Sequence, residues 1–148
     1  MTKKAIVWGG NYFPLPISRN FVIWRKKTIS EAFTMAMAEY AWTNIAGNAK
    51  VFEYPPQAAG RFHPTQKPVR LYEWLLKNYA KPGDKILDTH GGSGSICIAC
   101  HDLGFDLDWY EIDAEYFQAA KERLERHQRQ ASLFTVEKPA AALQAVLL

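Results

Sequence analysis

The stretch KILDTHGGSGSICIACHDLGFDLDWYEID, residues 85–113, decides the fold of this chain. A short apolar run ends at Asp88, and a glycine-rich turn then leads into small and apolar residues at helical spacing. A second apolar run, residues 106–111, also ends in an acid, Glu111. This order predicts a strand, a turn, a helix and a strand, the unit that holds nucleotide-like cofactors. A flexible Gly/Ser linker is the alternative, but a linker is not normally bracketed by strand and helix patterns.

The acids at the two strand ends indicate which cofactor the unit would bind. Glycines at the turn let the backbone pass close to a ligand, and Glu111, about 20 residues further on, is placed to accept both ribose hydroxyls. Asp88 would repel a pyrophosphate but suits a cationic amine or sulfonium, unless it simply caps the following turn. Cys97 stands where a dinucleotide motif carries its third glycine. S-adenosylmethionine is therefore favoured, and a dinucleotide-dependent oxidoreductase is the alternative.

Composition bounds the class of protein. The 148 residues are 48% hydrophobic and 14% aromatic, which predicts one folded domain with a substantial core. The net charge of +3 permits an anionic partner without demanding one. No run approaches the ~20 apolar residues of a membrane span, and the N-terminal apolar stretch is too short for a signal peptide. We therefore expect a cytoplasmic protein with no membrane partner.

The cysteines form one C-x-x-C pair, Cys97 and Cys100, with His90 and His101 nearby. Such a pair can bind zinc or act as a redox couple. The sequence has no second cysteine pair, and the spacing places both side chains on one helix face. Core packing is therefore the favoured role, and no metal site is predicted.

Apolar patterns predict three further strands, at residues 5–8, 20–24 and 38–43, and two further helices, at residues 69–79 and 114–128. Residues 47–62 contain two adjacent prolines and a glycine, and we expect them to be irregular. Residues 131–148 are weakly patterned. This organisation indicates one domain over residues 1–128 and a C-terminal tail over residues 129–148.

Six segments follow one another from residue 63 onward: residues 63–68 (HPTQKP), the helix behind them, 81–84 (KPGD), 86–88 (ILD), 92–94 (GSG) and 111–113 (EID). In this order they resemble DNA methyltransferases that modify exocyclic amino groups, of the circularly permuted, phage-type adenine class. The strands predicted before residue 63 agree, so the resemblance covers residues 5–128. It implies a Rossmann-like α/β methyltransferase fold, S-adenosylmethionine as cofactor and double-stranded DNA as substrate.

The resemblance also implies roles for individual residues. Asp88 would face the methionine amine, Glu111 would hold the ribose hydroxyls, and Ile112 would pack on the adenine. Two further groups would complete the pocket. The group at the methionine carboxylate end would be His63, Thr65 and Lys67. The group at the turn under the cofactor would be His90, Gly92, Ser93 and Gly94. Family members usually carry Pro-Phe after the strand Asp, whereas this chain has Thr89 and His90.

The segment that carries catalysis in this family is not found in these 148 residues. Amino methylation uses Asp, Asn or Ser followed by Pro-Pro and an aromatic residue, and the aromatic ring stacks on the flipped base. Tyr54-Pro-Pro-Gln57 has neither the acceptor nor the aromatic residue in the required place. In the family the segment precedes the strand resembling residues 5–8 and supplies a central strand beside the one ending at Asp88. We therefore expect an incomplete sheet with an open edge.

Two functional interpretations follow from this arrangement. The first is a site-specific DNA methyltransferase, with adenine as the favoured target, that is truncated and inactive as a lone chain. The second is a non-catalytic module that binds S-adenosylmethionine or DNA and completes a separate N-terminal fragment.

A set of basic residues is expected to contact DNA phosphates: Arg25, Lys26, Lys27, Lys50 and Arg61. Such contacts would position DNA without reading its sequence. The alternative is that these residues form an ordinary solvated face. The tryptophans fall on apolar elements and are expected in the core rather than as platforms for bases.

The tail contains a short docking motif. Gln130-Ala-Ser-Leu-Phe134 resembles the peptide by which bacterial and phage proteins bind the replication sliding clamp. In that mode a glutamine hydrogen-bonds at the rim of a surface pocket, and adjacent apolar side chains, here Leu133 and Phe134, are the anchors. Packing of the same two side chains back onto the domain is the alternative.

A peptide spanning residues 126–137 is expected to bind a purified sliding clamp with micromolar affinity, about −8 kcal/mol. Replacing both anchors, Leu133→Ala with Phe134→Ala, is expected to abolish binding, because the buried apolar contact is lost. Fluorescence anisotropy of the labelled peptide is the measurement. No detectable binding by the wild-type peptide would end this interpretation.

Overall fold

The structure is a computed structural model that describes residues 4–56 and 60–130. Its elements follow one another as β1 (Ile6–Trp8), β2 (Phe21–Arg25), β3 (Ala38–Thr43), β4 (Lys50–Glu53), α1 (Val69–Tyr79), β5 (Ile86–Asp88), α2 (Ser95–Leu103), β6 (Leu107–Trp109) and α3 (Ala114–Arg129). A short 3-10 turn, Gly10–Tyr12, follows β1. None of the helices within these ranges has the length and apolar character needed to cross a membrane.

The strands form two separate sheets. The first has the order β1-β3-β2-β4, in which β3 runs antiparallel to β1 and β2, and β4 runs parallel to β2. The second consists of β5 and β6, which are parallel and pair Asp88 with Trp109. Over the described part of the chain no strand joins β1 to β5. The expected α/β fold with an incomplete sheet is thus confirmed.

The open edges of the two sheets lie near each other. Lys4, just before β1, donates from Nζ to the Tyr79 carbonyl at the end of α1, at 3.1 Å. The same ammonium lies 3.6 Å from a carboxylate oxygen of Asp84, two residues before β5. Edge β1 is therefore tied to the segment that leads into β5, but the two strands do not pair with each other, and we call this interruption of the sheet the gap.

Helix α1 joins the two sheets through two apolar clusters. Leu71 and Leu75 pack on the first sheet against the buried side chains of Val22, Trp24 and Ala41. Leu76 packs instead with the buried residues of α2, while Tyr72 contacts both clusters. The apolar side chains recur at helical spacing on one side of α1, and this stripe spans both sheets.

Most predicted elements are confirmed within one or two residues. The exception is β4, Lys50–Glu53, which lies inside the stretch predicted to be irregular. Its four residues show no apolar alternation, and Val51 is 59% exposed. The strand exists because its backbone pairs in parallel with β2. Hydrogen bonding between distant segments leaves no local pattern in the sequence.

The cysteine pair lies in the core. Cys97 and Cys100 are buried in the second apolar cluster, as free thiols. Burial raises the pKa of Cys97 to about 12 and that of Cys100 to about 11, so both thiols stay protonated near neutral pH. Protonated thiols are poor metal ligands and poor nucleophiles. The arrangement agrees with the packing role favoured from the sequence.

Helix α3 ends just before the docking motif. Gln130 follows α3 and is exposed, whereas the two anchor positions, Leu133 and Phe134, lie outside the described residues. The clamp interaction and the boundary between domain and tail therefore stay predictions.

Candidate cofactor site

The glycine turn connects Asp88, at the end of β5, to Ser95, at the start of α2. Gly92 adopts a left-handed conformation with φ 52°, which favours glycine. Gly91 is required for a different reason: a Cβ there would lie 1.4 Å from Nε1 of Trp109. The indole of Trp109, at the end of β6, thus lies directly against the turn.

Side-chain hydrogen bonds hold this turn to two other parts of the chain. Arg123 of α3 donates from Nη1 to the Ser93 carbonyl and to Ser95 Oγ, both at 2.9 Å. Ser95 Oγ in turn donates to the Lys67 carbonyl at 2.7 Å. Ser93 and Ser95 are both buried. The turn, α3 and the HPTQKP segment therefore form one connected unit.

Glu111 follows β6 and closes the other side of the turn. Its Oε2 accepts a hydrogen bond from the Gly92 amide at 2.7 Å, and its Oε1 accepts one from the Asp113 amide at 3.0 Å. The bonds from Asp113 and Gly92 hold the pKa of Glu111 below its ordinary value, against a smaller opposing effect of burial. Each oxygen keeps a second lone pair. An ionised, oriented carboxylate is therefore available to two hydroxyl donors.

Asp88 is in a less favourable environment. Burial raises the pKa of its carboxyl above the ordinary value, although the hydrogen bond from the His90 amide (3.0 Å) and the charge of Lys67 partly offset this. A carboxylate with a raised pKa gains more than usual from a cationic partner. The capping role considered from the sequence is present, since Asp88 accepts from His90. The His90 ring is exposed and lies 2.9 Å from Thr89 Oγ1.

His63 lies beside the turn, on the side of Glu111, and Thr65 contacts His63. The His63 ring meets Tyr116 edge-on, with centroids 4.4 Å apart. A Cβ on Gly92 would lie 3.1 Å from His63 Cε1, so the ring is in contact with the turn. The Thr65 amide donates to His63 Nδ1 at 3.3 Å.

Lys67 is separated from these two residues. Its Nζ lies 3.0 Å from Glu39 Oε2 and 5.2 Å from the centroid of the Trp8 ring. Trp8 ends β1, so this ammonium lies at the edge of the gap between β1 and β5. The structure thus divides the group that sequence reasoning placed together: His63 and Thr65 at the turn, and Lys67 at the gap.

Ile112 is fully exposed next to Glu111. Asp113, which follows it, caps α3 by accepting from the amides of Glu115 and Tyr116. The cap fixes the direction of α3, which brings Arg123 to the turn. Ile112 is thereby left as an exposed apolar side chain beside Glu111.

The five basic residues expected to contact DNA are each engaged within the protein. Arg25 and Lys27 both pair with Glu53, at 2.9 and 3.6 Å. Lys50 donates to Asn78 at 2.6 Å, and Arg61 donates to backbone carbonyls of residues 63 and 64. Lys26 departs from the expectation: its side chain is only 8% exposed, because its ammonium is buried against Glu39.

Three residues that position the site were not selected from the sequence: Glu39, Trp109 and Arg123. Glu39 lies on the same face of β3 as buried Ala41 and Thr43. An acid among inward-facing positions of a strand could therefore have been recognised from the sequence. Arg123 lies three residues after buried Ala120, on the packed side of α3. No local pattern distinguishes Trp109 from an ordinary core residue.

Comparison with known proteins assigns the family. The sequence profile of the DNA methylases of the N6/N4 class matches residues 23–122, which is more than half of the chain. The chain therefore belongs to this DNA methylase family. This membership replaces the dinucleotide-dependent oxidoreductase interpretation.

Individual relatives match over shorter ranges. The type II methyltransferase M.HpaI of Haemophilus parainfluenzae is 41% identical over 63 residues, 43% of this chain and 20% of the relative. M2.DpnII of Streptococcus pneumoniae is 40% identical over 63 residues, 43% of this chain and 24% of the relative. The structure of M1.HpyAVI in complex with SAM aligns with a TM-score of 0.55 and 28% identity, covering 70% of this chain and 60% of that one. The chain thus spans only part of each relative.

Replacing Asp88 and Glu111 by the corresponding amides is expected to change the free energy of unfolding in opposite directions. Asp88→Asn should raise the free energy of unfolding near neutral pH, because burial raises the Asp88 pKa and the folded state carries a disfavoured charge. This gain should shrink as the pH falls through the raised pKa, where the wild-type carboxyl becomes neutral too. Glu111→Gln should lower the free energy of unfolding, because the Glu111 pKa is lowered and its charge stabilises the fold.

Urea unfolding of both variants between about pH 3 and about pH 7 measures these signs. The cost of Glu111→Gln should persist at neutral pH and disappear only as the pH falls through the lowered pKa of Glu111. A loss of stability in Asp88→Asn at neutral pH would contradict the environment described for Asp88.

Proposed function

We propose that this chain binds S-adenosylmethionine and serves the methylation of DNA, with the exocyclic amine of adenine as the favoured target. The supporting observation is the pair of acids at the adjacent ends of β5 and β6. Asp88, a half-buried carboxylate, and Glu111, an oriented carboxylate, lie on either side of a glycine turn that a ligand can approach closely. The M1.HpyAVI relative, which has the same fold, was solved with SAM bound.

In this proposal each residue binds a different part of the cofactor. The Asp88 carboxylate accepts from the methionine amine, whose positive charge relieves the cost of burying Asp88. Glu111 accepts from the ribose hydroxyls with its free lone pairs, and exposed Ile112 packs on the adenine. His63 borders the ribose, because it lies at the turn beside Glu111, and Thr65 supports the His63 ring through its contact with Nδ1. The Lys67 ammonium faces the methionine carboxylate, and the bound cofactor supplies a methyl group on its sulfonium.

The assignment to a phage-type, circularly permuted adenine methylase is part of the same proposal. It is supported by the order of the segments, in which the HPTQKP segment and the glycine turn follow the strands of the first sheet. DNA contacts are proposed for Arg25, Lys27, Lys50 and Arg61, whose present partners are exposed and can exchange for phosphates. Lys26 takes no part in this surface.

Methyl transfer is proposed to need a segment that these 148 residues do not contain. Tyr54 does not replace it: its carbonyl accepts from Trp24 Nε1 at 2.9 Å, and its ring packs against Phe52. An acceptor-Pro-Pro-aromatic segment supplied by a separate N-terminal fragment would bring a strand that pairs in the gap between β1 and β5. Open edges of this kind promote pairing with another strand. The non-catalytic module is the alternative, and the sliding clamp is a further proposed partner.

The purified chain is expected to bind S-adenosylmethionine in calorimetry. Asp88→Ala and Glu111→Ala should each weaken binding by about 1.5–3 kcal/mol, because each removes hydrogen bonds to or from a charged group. Asp108→Ala is the matched control, since this acid lies on β6 and pairs with Lys85 away from the turn. Binding of NAD in place of S-adenosylmethionine would overturn the cofactor assignment.

The chain alone is expected to transfer no methyl group to duplex DNA above background. The printed sequence contains no acceptor-Pro-Pro-aromatic segment, which in this proposal polarises the target amine and stacks on the flipped base. Incorporation of tritiated methyl groups into DNA is the measurement. Robust incorporation that Asp88→Ala abolishes would refute the expectation, whereas activity that appears only after adding an N-terminal fragment would support the split enzyme over the non-catalytic module.

A further inference from the structure

Two lysines and one glutamate form a largely buried cluster at the gap between the sheets. Glu39 of β3 contacts both cations: its Oε1 lies 2.9 Å from Lys26 Nζ, and its Oε2 lies 3.0 Å from Lys67 Nζ. The lysine side chains are 8% and 10% exposed, and that of Glu39 is 32% exposed. Lysine ammoniums are rarely buried this deeply without a counter-ion.

Glu39 is the counter-ion that both lysines share. Among the described residues no other carboxylate forms a salt bridge with Lys26 or Lys67. Burial by itself would raise the pKa of Glu39, but the charge of Lys67 and the hydrogen bonds from both lysines bring it below its ordinary value. Glu39 is therefore ionised near neutral pH and holds both ammoniums.

Lys67 is fixed at both ends by this arrangement. Its carbonyl accepts from Ser95 Oγ, at the start of α2, and its ammonium is held by Glu39 beside the Trp8 ring. An ammonium has three donors. Glu39 takes one and the Trp8 ring lies over the group, so a donor remains for a ligand at the gap.

The charges of the cluster indicate what that ligand should carry. One carboxylate against two ammoniums leaves one positive charge, and Lys67 is close enough to lower the pKa of Asp88. A zwitterion with its amine at Asp88 and its carboxylate at Lys67 would satisfy both groups at once. The amino-acid end of S-adenosylmethionine has this pair of charges.

We infer that Glu39 is a positioning residue, which holds the Lys67 ammonium where it receives the carboxylate of the cofactor. This inference rests on the proposed function. It makes Glu39 responsible for recognition of the amino-acid end alone, because the contacts proposed for adenine and ribose lie at Glu111 and Ile112.

The test compares two ligands on the full 148-residue chain. S-adenosylmethionine carries the amino-acid end, whereas 5′-methylthioadenosine keeps adenine and ribose, lacks the amino-acid end, and has a neutral thioether in place of the sulfonium. Glu39→Gln should lose about tenfold or more in affinity for S-adenosylmethionine, which corresponds to about 1.4 kcal/mol, and should bind 5′-methylthioadenosine as wild type does. Unchanged binding of the second ligand also shows that the variant is folded.

Glu53→Gln is the matched control. Glu53 on β4 also bridges two cations, Arg25 and Lys27, but at the surface of the same sheet. The chemical change is identical, so wild-type affinity for both ligands is expected. Equal losses in Glu39→Gln and Glu53→Gln would overturn the inference.

A double-mutant cycle shows whether Glu39 acts through Lys67. Lys67→Met should weaken S-adenosylmethionine binding, and adding Glu39→Gln to that variant should produce no further loss, since the group to be positioned is gone. An additive further loss would overturn the inference. So would wild-type affinity of Glu39→Gln for S-adenosylmethionine, or a parallel loss for both ligands.

If wild type binds neither ligand, the proposed function fails and the inference fails with it. If wild type binds both and Glu39→Gln binds as wild type does, only the inference fails.

Discussion

The contact between Gly91 and the Trp109 indole is the constraint on which the site depends. A Cβ at position 91 would lie 1.4 Å from the indole, so the backbone can pass only as glycine. The strand pairing that places Trp109 opposite Asp88 brings the turn down onto the ring. From that position the Gly92 amide reaches Glu111 and the Ser93 carbonyl reaches Arg123. The orientation of the acid and the attachment of α3 are therefore both consequences of one close approach.

The protein stabilises the charge of Glu111 but not that of Asp88, although both lie at the turn. Backbone amides stabilise and orient the Glu111 carboxylate in the free protein. Binding a ligand therefore requires little further loss of side-chain entropy at this residue. Asp88 carries a charge that burial disfavours, and a cationic ligand would relieve that cost. The Lys67 ammonium is held in place by its ion pair with Glu39 at the gap between the sheets. The site has a carboxylate whose charge is disfavoured by burial, Asp88, and a carboxylate that backbone amides orient, Glu111. This pair favours a ligand with a cation at one end and hydroxyls at the other.

The gap between β1 and β5 links the cofactor site to the incomplete sheet. Helix α1 packs on the first sheet through Leu71 and on α2 through Leu76, so the two sheets are linked without a strand between them. Lys67 and Trp8 lie at the edge of that gap. A strand entering the gap would lie next to both Lys67 and the open edge of the first sheet.

The sequence by itself determined the strand, turn, helix and strand of residues 85–113, because apolar periodicity and glycine conformation are local properties. It also indicated Asp88 and Glu111, since both acids end apolar runs. Only the tertiary structure decided that β4 pairs with β2, that Lys26 is buried, and that Lys67 is separated from His63. These outcomes depend on contacts between residues far apart in the chain, such as the one between Glu39 and Lys67. Such contacts are set by packing of whole elements, and no local pattern of residues encodes them.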